Sequence, residues 1–154
     1  MIDRLKSLLF GDAAPSSQDE ALPLAAAALM TEAAMMDGAM AEAERQTIER
    51  LLRERFGLSE AAATALRERA GAEQEQSSQL FPFTQVIVDT MPPEQRVEII
   101  EMLWQVAYTD GHLHDYEAAL VRRVCGLLYV SDLESGLARK RAMHRLGLPD
   151  APPV

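Results

Sequence analysis

The sequence predicts an all-α protein, a compact bundle of seven or eight helices with an internal helix-turn-helix duplication. Three observations carry this. Apolar residues recur at three- and four-residue spacing in one window after another, and no alternating run flanked by turn residues argues for a strand. Gly and Pro fall between those windows, where helices stop and start. A shift of 73 residues then superposes one such turn on a second.

The elements follow in order. Residues 2–10 read as a short helix with Ile2, Leu5, Leu8 and Leu9 on one side, followed by a linker over 11–18 that contains Pro15, Ser16 and Ser17. The next helix runs to Met36, with Pro23 in its first turn or marking its start, and Gly38 ends it. A helix over Glu42–Phe56 sets Ile48, Leu51, Leu52 and Phe56 against a polar side of Arg45, Glu49, Arg50 and Arg53. Ser59 is placed to cap a helix from Glu60 to about Gly71, and the polar stretch 71–78 reads as a connection between two halves. Ser78 would cap a helix carrying Leu80, Phe83, Val86 and Ile87, in which Pro82 is tolerable only in the first turn. Pro92-Pro93 breaks the chain before a helix over Pro93–Thr109, Gly111 closes it, and a further helix spans Asp115–Tyr129. Ser131 and Glu134 form a capping box for a last helix to about Leu146, which Gly147 stops. The expected organisation is a short helix and linker over 1–17, a helical domain over 18–146 and a tail over 147–154.

Composition bounds the function. With 154 residues, 48% of them hydrophobic, the chain is long enough to bury one sizeable core. Its 15 Lys and Arg against 24 Asp and Glu give a net charge of −9, which removes the electrostatic footprint of phosphate-backbone binding, so no nucleic-acid partner is expected. A single cysteine, Cys125, supplies neither a disulfide framework nor a thiolate zinc site, and its apolar helical neighbours make it a small core residue. No signal-peptide pattern or membrane-length apolar run is present, so a cytoplasmic protein is expected. The charge is uneven: residues 11–130 hold 9 basic and 20 acidic side chains, net −11, and each end sums to +1. Arg139, Lys140, Arg141 and Arg145 cluster on the last helix. They read as a solvated face that can meet an acidic protein partner or support peripheral membrane association, as can Arg4 and Lys6.

The repeat aligns Leu29–Leu52 with Met102–Cys125, and pairs Ala34, Asp37, Gly38, Glu44 and Arg50 with Ala107, Asp110, Gly111, Glu117 and Arg123. The shared turn resembles the second half of a calcium-binding EF-hand loop. Its first half does not: Ala33, Met35, Val106 and Tyr108 stand where carboxylate ligands belong. Two readings stay open. In the structural one, Gly38 and Gly111 stop helices, Met40 and Leu113 plug corners, and Glu44 and Glu117 reach back from the third helical position to the N-cap amide. Ala41 and His114 are poor caps there, so the box is half built. In the functional one, the turns converge and present Asp37, Glu44, Asp110 and Glu117 together, and a divalent cation of open identity relieves their repulsion. His112 and His114 beside Asp110 and Asp115 suggest zinc. The first repeat has no histidine, which favours solvated turn residues.

With the duplicated Asp-Gly turn in hand, the chain resembles the TerB-like tellurite-resistance family over roughly 18–146. The pieces that carry the resemblance are Glu32-Ala33-Ala34-Met35-Met36-Asp37-Gly38, Leu103-Trp104-Gln105-Val106-Ala107-Tyr108-Thr109-Asp110-Gly111, and Phe83-Thr84 before Pro92-Pro93. The resemblance implies an all-helical module linked to stress response or membrane-associated complexes, with members proposed to bind metal through acidic residues. Related domains occur in J-domain co-chaperones; no J-domain is expected in these 154 residues, so only the module carries over. The expectation is a non-catalytic acidic module in a bacterial tellurite-type stress response, responsive to a divalent metal. The alternative is a metal-independent interaction or scaffold module of the co-chaperone-associated type. No catalytic residues are expected, since neither a serine or cysteine nucleophile motif nor the di-iron Glu-x-x-His pattern is present; an enzyme would need a pocket that gathers carboxylates or histidines.

Overall fold

A computed structural model describes residues 18–36, 38–76 and 79–149. The helix expected over 2–10, the linker, Asp37, Ser78 and the end of the tail lie outside the described residues. Seven helices are present among those described: α1 (Gln18–Ala34), α2 (Glu42–Phe56), α3 (Glu60–Gln76), α4 (Phe81–Thr90), α5 (Pro93–Ala107), α6 (Asp115–Leu128) and α7 (Asp132–Arg145). They form no strand.

Two helices make the centre. In α1, Ala25–Met30, Ala33 and Ala34 are buried with hardly a polar face between them, as befits a helix surrounded by others. Its run of alanines lets α2, α3, α4, α5 and α6 all approach it. The second centre is α5, where Ile99, Ile100, Leu103, Val106 and Ala107 are buried, and which touches α1, α2, α4, α6 and α7. The two helix-turn-helix pairs, α1–α2 and α5–α6, therefore lead with helices that lie against each other in the core.

Three boundaries differ from the sequence reading. Helix α1 begins at Gln18, so Pro23 sits inside it, past the first turn. Helix α3 does not end at Gly71 but runs to Gln76. Packing on α1 overrides the glycine: Ala70 is fully buried, and Gln74 Nε2 donates to Glu32 Oε1 at 2.6 Å. Helix α4 starts at Phe81, with Leu80 at its N-cap and Pro82 in its first turn, as the proline requires. The Ser131–Glu134 capping box forms as expected, with Glu134 N–H donating to Ser131 Oγ at 3.1 Å and Ser131 N–H to Glu134 Oε1 at 3.1 Å.

Arg96 is buried in the first turns of α5 and meets no carboxylate among the described residues. Its guanidinium donates to the carbonyls of Met91 (3.0 Å), Val88 (3.2 Å) and Leu128 (3.3 Å). Those carbonyls end α4 and α6, where the last turn of a helix leaves acceptors unpaired and the dipole favours a cation. One side chain thus closes two helices and ties both to a third.

Candidate functional site

The two turns share the backbone hydrogen bonds that end their first helices. Met35 N–H donates to Thr31 O (2.9 Å) and Gly38 N–H to Met35 O (2.9 Å); 73 residues on, Tyr108 N–H donates to Trp104 O (3.0 Å) and Gly111 N–H to Tyr108 O (2.8 Å). Gly38 and Gly111 take φ of 97° and 86°, the left-handed side that glycine adopts without a Cβ clash. The chain then extends through Ala41 (φ −74°, ψ 157°) and His114 (φ −96°, ψ 152°) into α2 and α6. At each start the third-position glutamate reaches back. Ala41 N–H donates to Glu44 Oε1 at 2.9 Å, and His114 N–H to Glu117 Oε1 at 3.1 Å. Neither Ala41 nor His114 returns a side-chain bond, so each box has only its glutamate half. Met40 and Leu113 pack partly buried against the core below.

The structure also draws the second turn toward α2. Thr109 donates its hydroxyl to Gln105 O at 3.0 Å and lies 3.4 Å from the Thr47 hydroxyl, and Arg50 Nη2 donates to Gln105 Oε1 at 3.2 Å. Glu117 registers the result. Burial, above all, pushes its carboxyl above the ordinary glutamate range. The His114 amide and ring oppose that rise, and the charges of Asp110 and Glu44 add to it. Glu44, Asp110 and Glu117 therefore share one electrostatic neighbourhood, while Asp37 lies outside the described residues.

Each of the three described carboxylates already has work within the fold. Besides the two caps, Asp110 Oδ1 accepts the His112 N–H at 3.0 Å, closing its own turn, and Asp110 Oδ2 is 3.9 Å from His114 Nε2. His114 stacks on Tyr116, with ring centroids 5.3 Å apart, and His112 and His114 are exposed. Among the described residues no group of three or more His, Cys, Asp or Glu side chains is placed to hold a metal ion. As a donor set, carboxylate oxygens suit a hard cation such as Ca²⁺ or Mn²⁺ and offer nothing to a thiophilic one.

Most of the basic cluster is spent inside the fold. Glu101, buried on α5, accepts Arg141 Nε at 2.8 Å and Arg145 Nε at 2.7 Å. Arg139 donates to the Tyr108 hydroxyl at 2.7 Å and lies 5.5 Å from the Trp104 ring, whose Nε1–H donates to Ser135 Oγ at 3.1 Å. Only Lys140 of the four is left without an ion pair or hydrogen bond among the described residues. Sequence reasoning missed Glu101 as the acceptor; its signal was an acid at core spacing on α5, opposite a helix with basic residues four apart. Cys125 is buried, and burial pushes its thiol up, which fits a packing residue. No helix among the described residues is long and apolar enough to cross a membrane.

A family model described as tellurite resistance protein TerB matches residues 23–140. No curated protein and no solved structure matches the chain.

Proposed function

The chain belongs to the tellurite resistance protein TerB family, and from that premise we propose that it works as a non-catalytic acidic module of a tellurite-type stress response whose paired turns respond to a divalent cation. The observation that carries this reading is the position of Glu117. It is buried, its carboxyl is held high, and like charges from Asp110 and from Glu44 of the other turn bear on it. Such a group is ionised at a cost, and a nearby cation lowers that cost for all three carboxylates at once. Asp37, at the position in the first turn that Asp110 holds in the second, is the fourth carboxylate of the reading. The cation would be a hard one, held by oxygen.

Calorimetric titration with Ca²⁺, Mn²⁺ and Zn²⁺ tests the proposal. Heat is expected with Ca²⁺ or Mn²⁺ and is expected to vanish in the Asp37→Asn/Asp110→Asn variant. Absence of heat with every ion, or heat unchanged in that variant, overturns it. One observation favours the second reading, a metal-independent interaction or scaffold module. Glu44 and Glu117 each commit an oxygen to an N-cap amide, a role that needs no ion. A protein partner is part of either reading.

A further inference from the structure

The exposed surface of α7 carries an unspent apolar stripe. Of the large hydrophobic side chains left open to solvent, Leu133 is 73% exposed and Leu137 48%, four residues apart and therefore on one face. Gly136 stands between them with nothing within 4 Å of where a Cβ would be. Lys140 continues the same face, one turn beyond Leu137. Tyr129, which caps α6 ahead of α7, is 76% exposed and holds φ of 60°. Among the described residues the four other positive-φ positions, Gly38, Gly57, Gly111 and Gly147, are all glycines. At Tyr129 that conformation closes α6: the Tyr129 and Val130 N–H groups both donate to Cys125 O.

The charges along α7 identify what fits. Acid opens the helix, at Asp132 and Glu134, and base closes it, at Lys140 and Arg141. Neither Asp132 nor Lys140 has an ion pair among the described residues. They cannot pair with each other, because eight residues of helix separate them by about 12 Å. A second α7 laid antiparallel across the first, about a two-fold at Gly136, sets each Asp132 beside the other copy's Lys140, the two charges left unpaired among the described residues. Leu133 and Leu137 of the two copies then close over a centre where Gly136 lets the backbones approach. A helix of one charge sign would instead suggest an oppositely charged partner or lipid surface. This one is complementary to itself when reversed.

We infer that α7 is a homodimerisation surface on which Leu133, Gly136, Leu137 and Lys140 of one copy pack antiparallel against the same residues of a second. The inference is independent of any metal at the turns. A four-turn helix pair is small for a stable interface, so association is weak, with dissociation in the range of about 10 to about 300 μM. Sedimentation velocity of the full chain across that range is the test, with circular dichroism to establish that each variant is folded. Wild-type protein is expected to move from monomer to dimer with concentration. Lys140→Asp and Asp132→Lys each set like charges face to face and are expected to weaken dimerisation at least about tenfold. The double exchange Asp132→Lys/Lys140→Asp is expected to restore it. Leu133→Ser, in which the capping box is left intact, is expected to abolish it. A monomer throughout the range overturns the inference, including one that instead binds vesicles of mixed neutral and anionic phospholipid. So does a dimer that ignores Leu133→Ser, or a double exchange that fails to recover the loss.

Discussion

Replacing Arg96 with methionine keeps a long unbranched side chain in place and removes the guanidinium that closes two helices. The variant loses three hydrogen bonds from a charged donor, at 3.0, 3.2 and 3.3 Å. Bonds of that kind contribute about 1.5–3 kcal/mol each, and the two longer ones belong at the lower end, so the gross loss is about 5 kcal/mol. Against it stands the desolvation of a guanidinium that is only 9% exposed, which methionine avoids and which offsets a few kcal/mol. Three backbone carbonyls are left without their donor, which keeps the balance unfavourable. The expected net destabilisation is about 3 kcal/mol, and with about 2–4 °C per kcal/mol for a domain of this size Tm falls by about 10 °C. Urea unfolding followed by circular dichroism at neutral pH measures the first figure, and a thermal scan the second. Arg96→Lys retains charge but not the fork that reaches three acceptors, and is expected to lose roughly half as much. A methionine variant within about 0.5 kcal/mol of wild type would refute the reasoning, since the carbonyls would then have found other partners at no cost.

Glu117→Gln keeps an oxygen for the His114 amide and removes the charge. Because the native carboxyl is held above its unfolded value, the wild type is most stable, as far as this group goes, below the unfolded pKa near 4.3–4.5, and loses that contribution as pH rises through the higher native value. The glutamine variant should lack this decline and match or exceed wild-type stability at pH 7, as paired urea titrations at pH 4 and pH 7 would reveal. Gly111→Ala places a Cβ at φ of 86° and should cost about 1–2 kcal/mol in urea unfolding, although nothing lies within 4 Å of the new carbon.

How far the sequence foretells this arrangement varies with what each residue has to meet. Helix α2 is read to its ends because its signals are local: Glu44 at the third position, apolar residues at 48, 51, 52 and 56, and Gly57 at φ of 69°. Helix α3 is read short because the force that carries it past Gly71 comes from α1, far off in the chain. The two turns align in the sequence and share backbone hydrogen bonds in the fold, and their capping glutamates form as the half-built box implies. That Glu44 bears on Glu117 is tertiary information, which no spacing along either helix contains. The basic cluster on α7 looks like an open face in sequence because its acceptors, Glu101 and Tyr108, lie 31 to 44 residues upstream. Arg96 gave one faint sign, standing at the spacing of Ile100, Leu103 and Ala107 on the buried face of its own helix.

The helix at the centre of the bundle is also the first of those described to be synthesised. Its apolar surface faces in every direction, and the helices that cover it end as late as Leu128. At about 5–20 residues per second, the stretch from Ala34 to Leu128 takes the ribosome roughly 5–20 s to complete. Over that interval a nearly uncharged run of alanine, leucine and methionine is covered only stepwise, by α2, α3 and α4 before α5 and α6. The nascent chain is therefore at its most adhesive early, and its exposed apolar surface shrinks with each helix that follows until α5 and α6 complete the cover.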